Sequence, residues 1–158
     1  MPKNLKQEII YTIMMVCVMV YAMVCYNITI DHGGLENWVF LAAFRELPIM
    51  GVAGFVLDTF LAGPIAKKLA FRLFQPEKEK PIFIILAISI FSIWLMCPMM
   101  SFVASILFQD GLHRQLLSVW IELTIRNFPM AFFWQLFAAG PLVRTIFGRL
   151  FPEKQIQG

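Results

Sequence analysis

Apolar residues in this chain come in long unbroken runs separated by short polar stretches. Residues 9–30, 81–109 and 127–143 carry no charge, and 47–66 carry one, Asp58. None of the runs alternates strictly, so none reads as a half-buried strand. A helix needs about 20 mostly apolar residues to cross bilayer hydrocarbon, and there only helices and closed barrels satisfy their backbone polar groups. The pattern predicts four transmembrane helices. The last run is the shortest and is expected to extend to about Phe147, with Arg144 reaching for the headgroups. The first run exceeds the roughly 7–15 apolar residues of a signal peptide. The lipoprotein-like stretch Ala22-Met23-Val24-Cys25 has an unsuitable Val24 before its cysteine, so the run is expected to stay as a permanent helix.

Composition sharpens this picture. The 158 residues are 59% hydrophobic and 15% charged, against about 25% charged in soluble domains. This argues against a soluble single-domain enzyme and excludes a disordered chain. No nucleophile elbow, phosphate loop, zinc helix or haem motif occurs. No enzymatic activity, cofactor or metal is therefore expected. Cys17, Cys25 and Cys97 sit inside apolar runs without metal-type spacing. Asp31-His32 and Asp110 with His113 differ in spacing and read as polar loop residues. Of 13 basic residues, 10 fall in the N-tail, the middle loop and the C-tail; Arg45, Arg114 and Arg126 fall in the other two loops. The bias of cationic loops toward the cytoplasm predicts both termini there. The net charge of +3 then reflects contact with the lipid bilayer and no nucleic acid.

The chain repeats itself. Phe60-Leu-Ala-Gly-Pro-Ile-Ala-Lys-Lys-Leu-Ala-Phe-Arg-Leu-Phe74 returns as Phe137-Ala-Ala-Gly-Pro-Leu-Val-Arg-Thr-Ile-Phe-Gly-Arg-Leu-Phe151 at an offset of 77. Upstream, Arg45-Glu46-Leu47-Pro48 matches Arg126-Asn127-Phe128-Pro129 at an offset of 81. The expected organisation is two two-helix units, 1–78 and 79–158, forming one membrane domain. With an even number of spans per copy, both face the same way and are related by a pseudo-twofold along the membrane normal. The outer loops carry helical periodicity as well. Leu112, Leu116, Val119 and Leu123 share one face, while Glu122 precedes Arg126 by four residues in favourable ion-pair order. Residues 35–46 and 112–126 are expected to form short interfacial helices, with Pro48 and Pro129 opening the spans that follow.

The start Met1-Pro-Lys-Asn, the hairpin of two spans, the acidic residue in the second span and the following Gly63-Pro64-Ile65-Ala66-Lys67-Lys68 resemble a bacterial membrane family known as domain of unknown function 2798. The resemblance covers nearly the whole chain. It implies a cytoplasmic-membrane protein of tandem hairpins and carries no activity with it. The second copy departs from the pattern, with Gln135 for the acidic residue and Arg144-Thr145 for Lys67-Lys68.

Asp58 is the sharpest functional candidate, because a carboxylate within a span costs about 3 kcal/mol on insertion scales. Its repeat partner is Gln135. Gly51, Gly54, Asp58 and Ala62 fall on one helix face, as do Ala131, Gln135 and Ala138. With Gly63-Pro64 and Gly140-Pro141, these form the expected helix-packing set, since small residues admit close approach and a polar group among them bonds across it. Asp58 and Gln135 should therefore face inward. Two readings stand. In one, Asp58 is the proton or cation site of a small transporter with an unidentified substrate, working as a homodimer. In the other, it packs helices in a non-transporting accessory or envelope-stress protein that needs a protein partner. Arg45 and Arg126, at the outer ends of the second and fourth spans, are candidates for an anionic ligand or for interfacial anchoring. Pro98 is expected to kink the third span, beside Ser101 and Ser105 on one face. The ten methionines read as adaptable core filling.

Overall fold

The computed structural model describes residues 4–75, 77–108 and 115–152. Leu112, Asp110, His113 and Arg114 lie outside the described residues. The described chain contains helices and short connections, without strands. Helix α1 spans Leu5–Asp31 and α2 Asn37–Leu57; a π-turn at Asp58–Ala62 leads straight into α3, Gly63–Leu73. The order then repeats: α4 is Pro81–Phe108, α5 Leu116–Trp134, and a second π-turn at Gln135–Ala139 leads into α6, Gly140–Leu150. Four rods result, each long and apolar enough to cross a membrane.

The hairpin turn after α1 is set by backbone chemistry. Gly33 takes φ +79°, a left-handed conformation that costs glycine nothing. Its N–H reaches the Ile30 carbonyl at 3.2 Å, and the Gly34 N–H reaches Thr29 at 2.9 Å. This is a Schellman ending, and it satisfies carbonyls that the last turn would otherwise leave bare.

Within the first hairpin, Val16, Val20, Val24 and Ile28 form one stripe on α1 at four-residue spacing. They pack against Val39, Ala43 and Met50 of α2. Gly54 makes the closest approach: a Cβ there would come within 3.2 Å of Val16 and 3.3 Å of Val20. In the second hairpin α4 packs on α5, and the hairpins join through α3 on α4, α2 on α4 and α5 on α1. Exchanging the copies maps these main pairs onto one another, as a twofold relation requires. The match is unequal, because α3 lies along α4 more extensively than α6 lies along α1.

The expected interfacial helices do not exist as separate elements. Helix α2 runs unbroken from Asn37 through Pro48, and α5 from Leu116 through Pro129. The buried lines explain why: Val39, Ala43 and Met50 bracket Pro48, and Leu123, Asn127 and Ala131 bracket Pro129. Packing on both sides carries each helix across the one ladder bond that a proline removes. Likewise α4 runs through Pro98 without a break. There the Trp120 indole N–H donates to the Pro98 carbonyl at 2.8 Å and ties α4 to α5.

The π-turns interrupt the rods at equivalent places. In each, an N–H bonds five residues back: Gly63 to the Asp58 carbonyl, Gly140 to the Gln135 carbonyl. The following residue is Pro64 or Pro141. A proline offers no N–H to the preceding turn and its ring crowds the carbonyl four residues back, so widening that turn relieves the strain. The glycine is then obligatory, since a Cβ on Gly63 or Gly140 would lie 2.6 Å from the carbonyl oxygen it bonds.

At the end that holds the 32–36 turn, Arg126 of α5 clamps α1. Its guanidinium donates to Asn27 Oδ1 at 2.8 Å and Asp31 Oδ1 at 3.1 Å. The Tyr26 hydroxyl donates to the Arg126 carbonyl at 3.3 Å. The expected Glu122 pairing is replaced by these partners on another rod, and Glu122 is exposed. At the opposite end Lys67 pairs with Glu8, and Tyr11 meets Phe147 edge-on with ring centres 5.4 Å apart.

Two tests follow from this architecture. Gly63→Ala and Gly140→Ala should each lower stability by about 1–3 kcal/mol, the usual range for forced overpacking. Gly148→Ala is the control, since open space surrounds that position, and it should be neutral or slightly stabilising. Thermal unfolding in detergent reads the difference; equal behaviour of all three would refute the role given to the π-turn glycines. Arg126→Gln should cost about 1 kcal/mol through its charged hydrogen bonds. Glu122→Gln should change the melting temperature negligibly.

Candidate functional site

The four rods do not close completely on one another. Between them lies a cavity of about 140 Å³, lined from α1, α2, α4, α5 and both π-turns. On α1 its wall runs from Met15 to Asn27 and on α4 from Ser92 to Ala104, in each case a rise of about 18 Å. It is therefore a slim cleft along the bundle axis. It occupies the part of the bundle toward the hairpin turns.

Asp58 and Gln135 both line this cleft. Each is the first residue of its π-turn, so both stand where a widened turn re-aims the helix face. Gln135 is 7% exposed, and Asp58 is half-buried. Ser92 Oγ of α4 lies 3.5 Å from Asp58 Oδ1, too long for a strong hydrogen bond. Among the described residues no ion pair involves Asp58; the pairs there are Lys67 with Glu8 and Arg126 with Asp31.

At the other end of the cleft stand Asn27 and Asn127. Asn127 is 5% exposed and its Oδ1 has no hydrogen-bond partner among the described residues. Asn27 accepts from Arg126. Between the polar ends the wall is dominated by sulfur: Met15, Met19 and Met23 on α1, Met50 on α2, Met96 and Met100 on α4. Sequence reasoning treated these methionines as filling. The usable signal was their four-residue spacing on the first and third runs. At the offset of 81, Met15 and Met19 fall on Met96 and Met100; at 77, Met19 and Met23 do.

The other candidates are distributed as follows. Gly54 and Ala62 are buried, and Gly51 is half-buried with only its own Leu47 within reach of a Cβ. Ala131 and Gly140 are buried, but Ala139 is fully buried where Ala138 is half-buried. A π-turn holds about one more residue than an α-turn, so the buried face recurs at the fourth position after Gln135, not the third. Gly63 is half-buried, while Pro64 and Pro141 are exposed and act through the backbone, not through packing. Arg45 is exposed on α2, unlike its counterpart Arg126. Asp31 bonds Arg126, and His32 meets Trp38 edge-on at 4.9 Å. Among the described residues no three His, Cys, Asp or Glu side chains gather in a metal-binding group.

Comparison with known proteins agrees with the two-copy organisation. The model of the family described as "Domain of unknown function (DUF2798)" matches twice in tandem, over residues 4–74 and 78–151. The chain is 32% identical over 157 residues to "Uncharacterized protein YybC" of Bacillus subtilis (strain 168), covering 98% of this chain and 97% of that one. No solved structure matches. The chain is thus a member of the DUF2798 family, with two tandem copies of the family's unit.

Proposed function

We propose that the chain works in a bacterial cytoplasmic membrane as a small proton- or cation-coupled transporter, with Asp58 as the coupling group and Gln135 as its polar counterpart. The observation that carries the reading is that both side chains line one cleft among four apolar rods. An ionisable group within a membrane helix is rare and typically faces an interior pathway. The π-turns support the reading, since such bulges recur at functional sites and provide local freedom to re-aim a side chain. Large side chains on the outside, including Val52, Phe60, Trp94, Phe133 and Phe137, suit a lipid environment. The distribution of basic residues favours a cytoplasmic side for both termini. Four helices make a small pathway, so the working unit is a homodimer. The second reading, a non-transporting accessory protein with Asp58 as a packing group, draws on the contact to Ser92 of α4.

The readings separate on water access. Ser92→Cys is nearly isosteric and sits beside Asp58. In a chain with Cys17, Cys25 and Cys97 replaced by alanine, reconstituted in liposomes, the new thiol is challenged with a membrane-impermeant methanethiosulfonate from each side. The transporter reading expects reaction from at least one side; with the reagent side held at one pH, changing the pH of the opposite side should alter the rate when Asp58 is present and alter it much less in Asp58→Asn. A thiol inert from both sides would leave only the packing reading.

A further inference from the structure

We propose that the cleft binds a small organic monocation, a quaternary or protonated amine carried on a single ring or short chain, with its charge at Asp58 and its apolar body along the methionines. This rests on the transport reading and names its substrate by chemical class.

Charge is the first argument. Among the described residues that line the cleft Asp58 is the sole Asp, Glu, Lys, Arg or His; Lys67, whose charge also acts on it, is paired with Glu8 and makes no ion pair with it. A carboxylate in apolar surroundings is costly unless a counter-charge joins it. One carboxylate matches one positive charge. Size is the second argument. A cavity of about 140 Å³ compares with the roughly 150 Å³ apolar cavity that takes up benzene. One ring or a slim chain is the scale of ligand that suits this space. The wall is the third argument. Thioethers are polarisable, conform to varied shapes and make favourable contacts with aromatic edges. Met19 and Met23 face the cleft from one copy, Met96 and Met100 from the other. Beyond them the Asn127 carboxamide, buried and with Oδ1 unpartnered, offers an acceptor for an N–H or O–H at the far end of the ligand.

A soft monovalent metal is the other cation that thioethers accept. Successive methionines on α1 are separated by four residues, a rise of about 6 Å. Such neighbours can share one ion, but a metal held by one pair of them would leave Asp58 and the rest of the wall unmatched.

The test uses the full chain in lipid nanodiscs and isothermal titration with benzyltrimethylammonium. The control ligand is N,N-dimethylbenzylamine N-oxide, of similar shape without net charge. The wild type is expected to bind the cation at least about tenfold more tightly than the N-oxide, a margin that one charge contact readily supplies. Asp58→Asn should abolish that preference. Asp58→Glu, which keeps the charge, should retain the preference and guards against a fold defect in the asparagine variant. Met19→Ala with Met100→Ala should weaken both ligands. Failure of the wild type to bind the cation, or equal binding by Asp58→Asn, overturns the proposal. Silver(I) is titrated in parallel. Tight silver binding that survives Asp58→Asn, is lost in the double methionine variant and occurs without organic-cation binding also overturns it, in favour of a metal site. Binding of the cation without its uptake into proteoliposomes overturns the transport reading and leaves the site. A Ser92→Cys thiol that responds to the pH gradient without cation binding does the reverse.

Discussion

A proline inside a helix withholds a backbone donor and crowds the turn before it, and this constraint shapes both halves of the molecule. At Pro64 and Pro141 the chain widens the preceding turn, sending the N–H of Gly63 or Gly140 five residues back to Asp58 or Gln135. The glycine admits the close approach of that carbonyl. The wider turn shifts the buried face by one position and leaves the residue that opens it at the wall of the cleft. Gly-Pro, the small residues around it and the polar side chain five positions before the glycine are parts of one local device. The prolines at 48, 98 and 129 lack a preceding glycine, and there the helices pass without a π-turn.

Two copies of this device meet around a shared space, but they are not equal. One offers a carboxylate and the other a carboxamide. One ends in Lys67-Lys68, with Lys67 held by Glu8; the other has Arg144-Thr145. At the hairpin-turn end, Arg126 is clamped between Asn27 and Asp31 while Arg45 is exposed. A symmetric pair of carboxylates would repel across a narrow apolar gap. Replacing one with glutamine keeps the polar geometry and removes the repulsion. The methionine wall, which carries no charge and bears no such penalty, is contributed by both copies.

Much of this was legible in the sequence because its causes are local. Uninterrupted apolar runs specify rods, and the repeated Gly-Pro segments specify two copies. Asp58 and Gln135 stood out because a polar group in an apolar run is conspicuous. What escaped reading depends on neighbours. Proline at 48 and 129 suggested helix starts, but buried residues on both sides bind each helix into one rod. Ideal periodicity keeps both Ala138 and Ala139 near the face of Gln135, but the π-turn turns Ala138 aside and leaves Ala139 buried. Glu122 was the local partner for Arg126, yet Asp31, 95 residues away, holds it. The methionines passed as filling because their shared cleft appears only when α1 and α4 face each other.

The molecule also supplies an internal standard for judging Asp58. The strongest polar ties between two rods here are short, while the Tyr21 and Tyr26 hydroxyls reach carbonyls on other rods at 3.3 Å each. Arg126 reaches Asn27 at 2.8 Å and Asp31 at 3.1 Å, and Trp120 reaches the Pro98 carbonyl at 2.8 Å. Among the described residues Asp58 has one hydrogen bond, to Ser92 at 3.5 Å, with the Lys67 charge acting on it from further off, and the cleft adjoins it. A carboxylate offers about four acceptor positions, and a group retained for packing would be expected to fill more of them. The acceptor capacity left open on the cleft side is what the transport reading proposes a cation to fill.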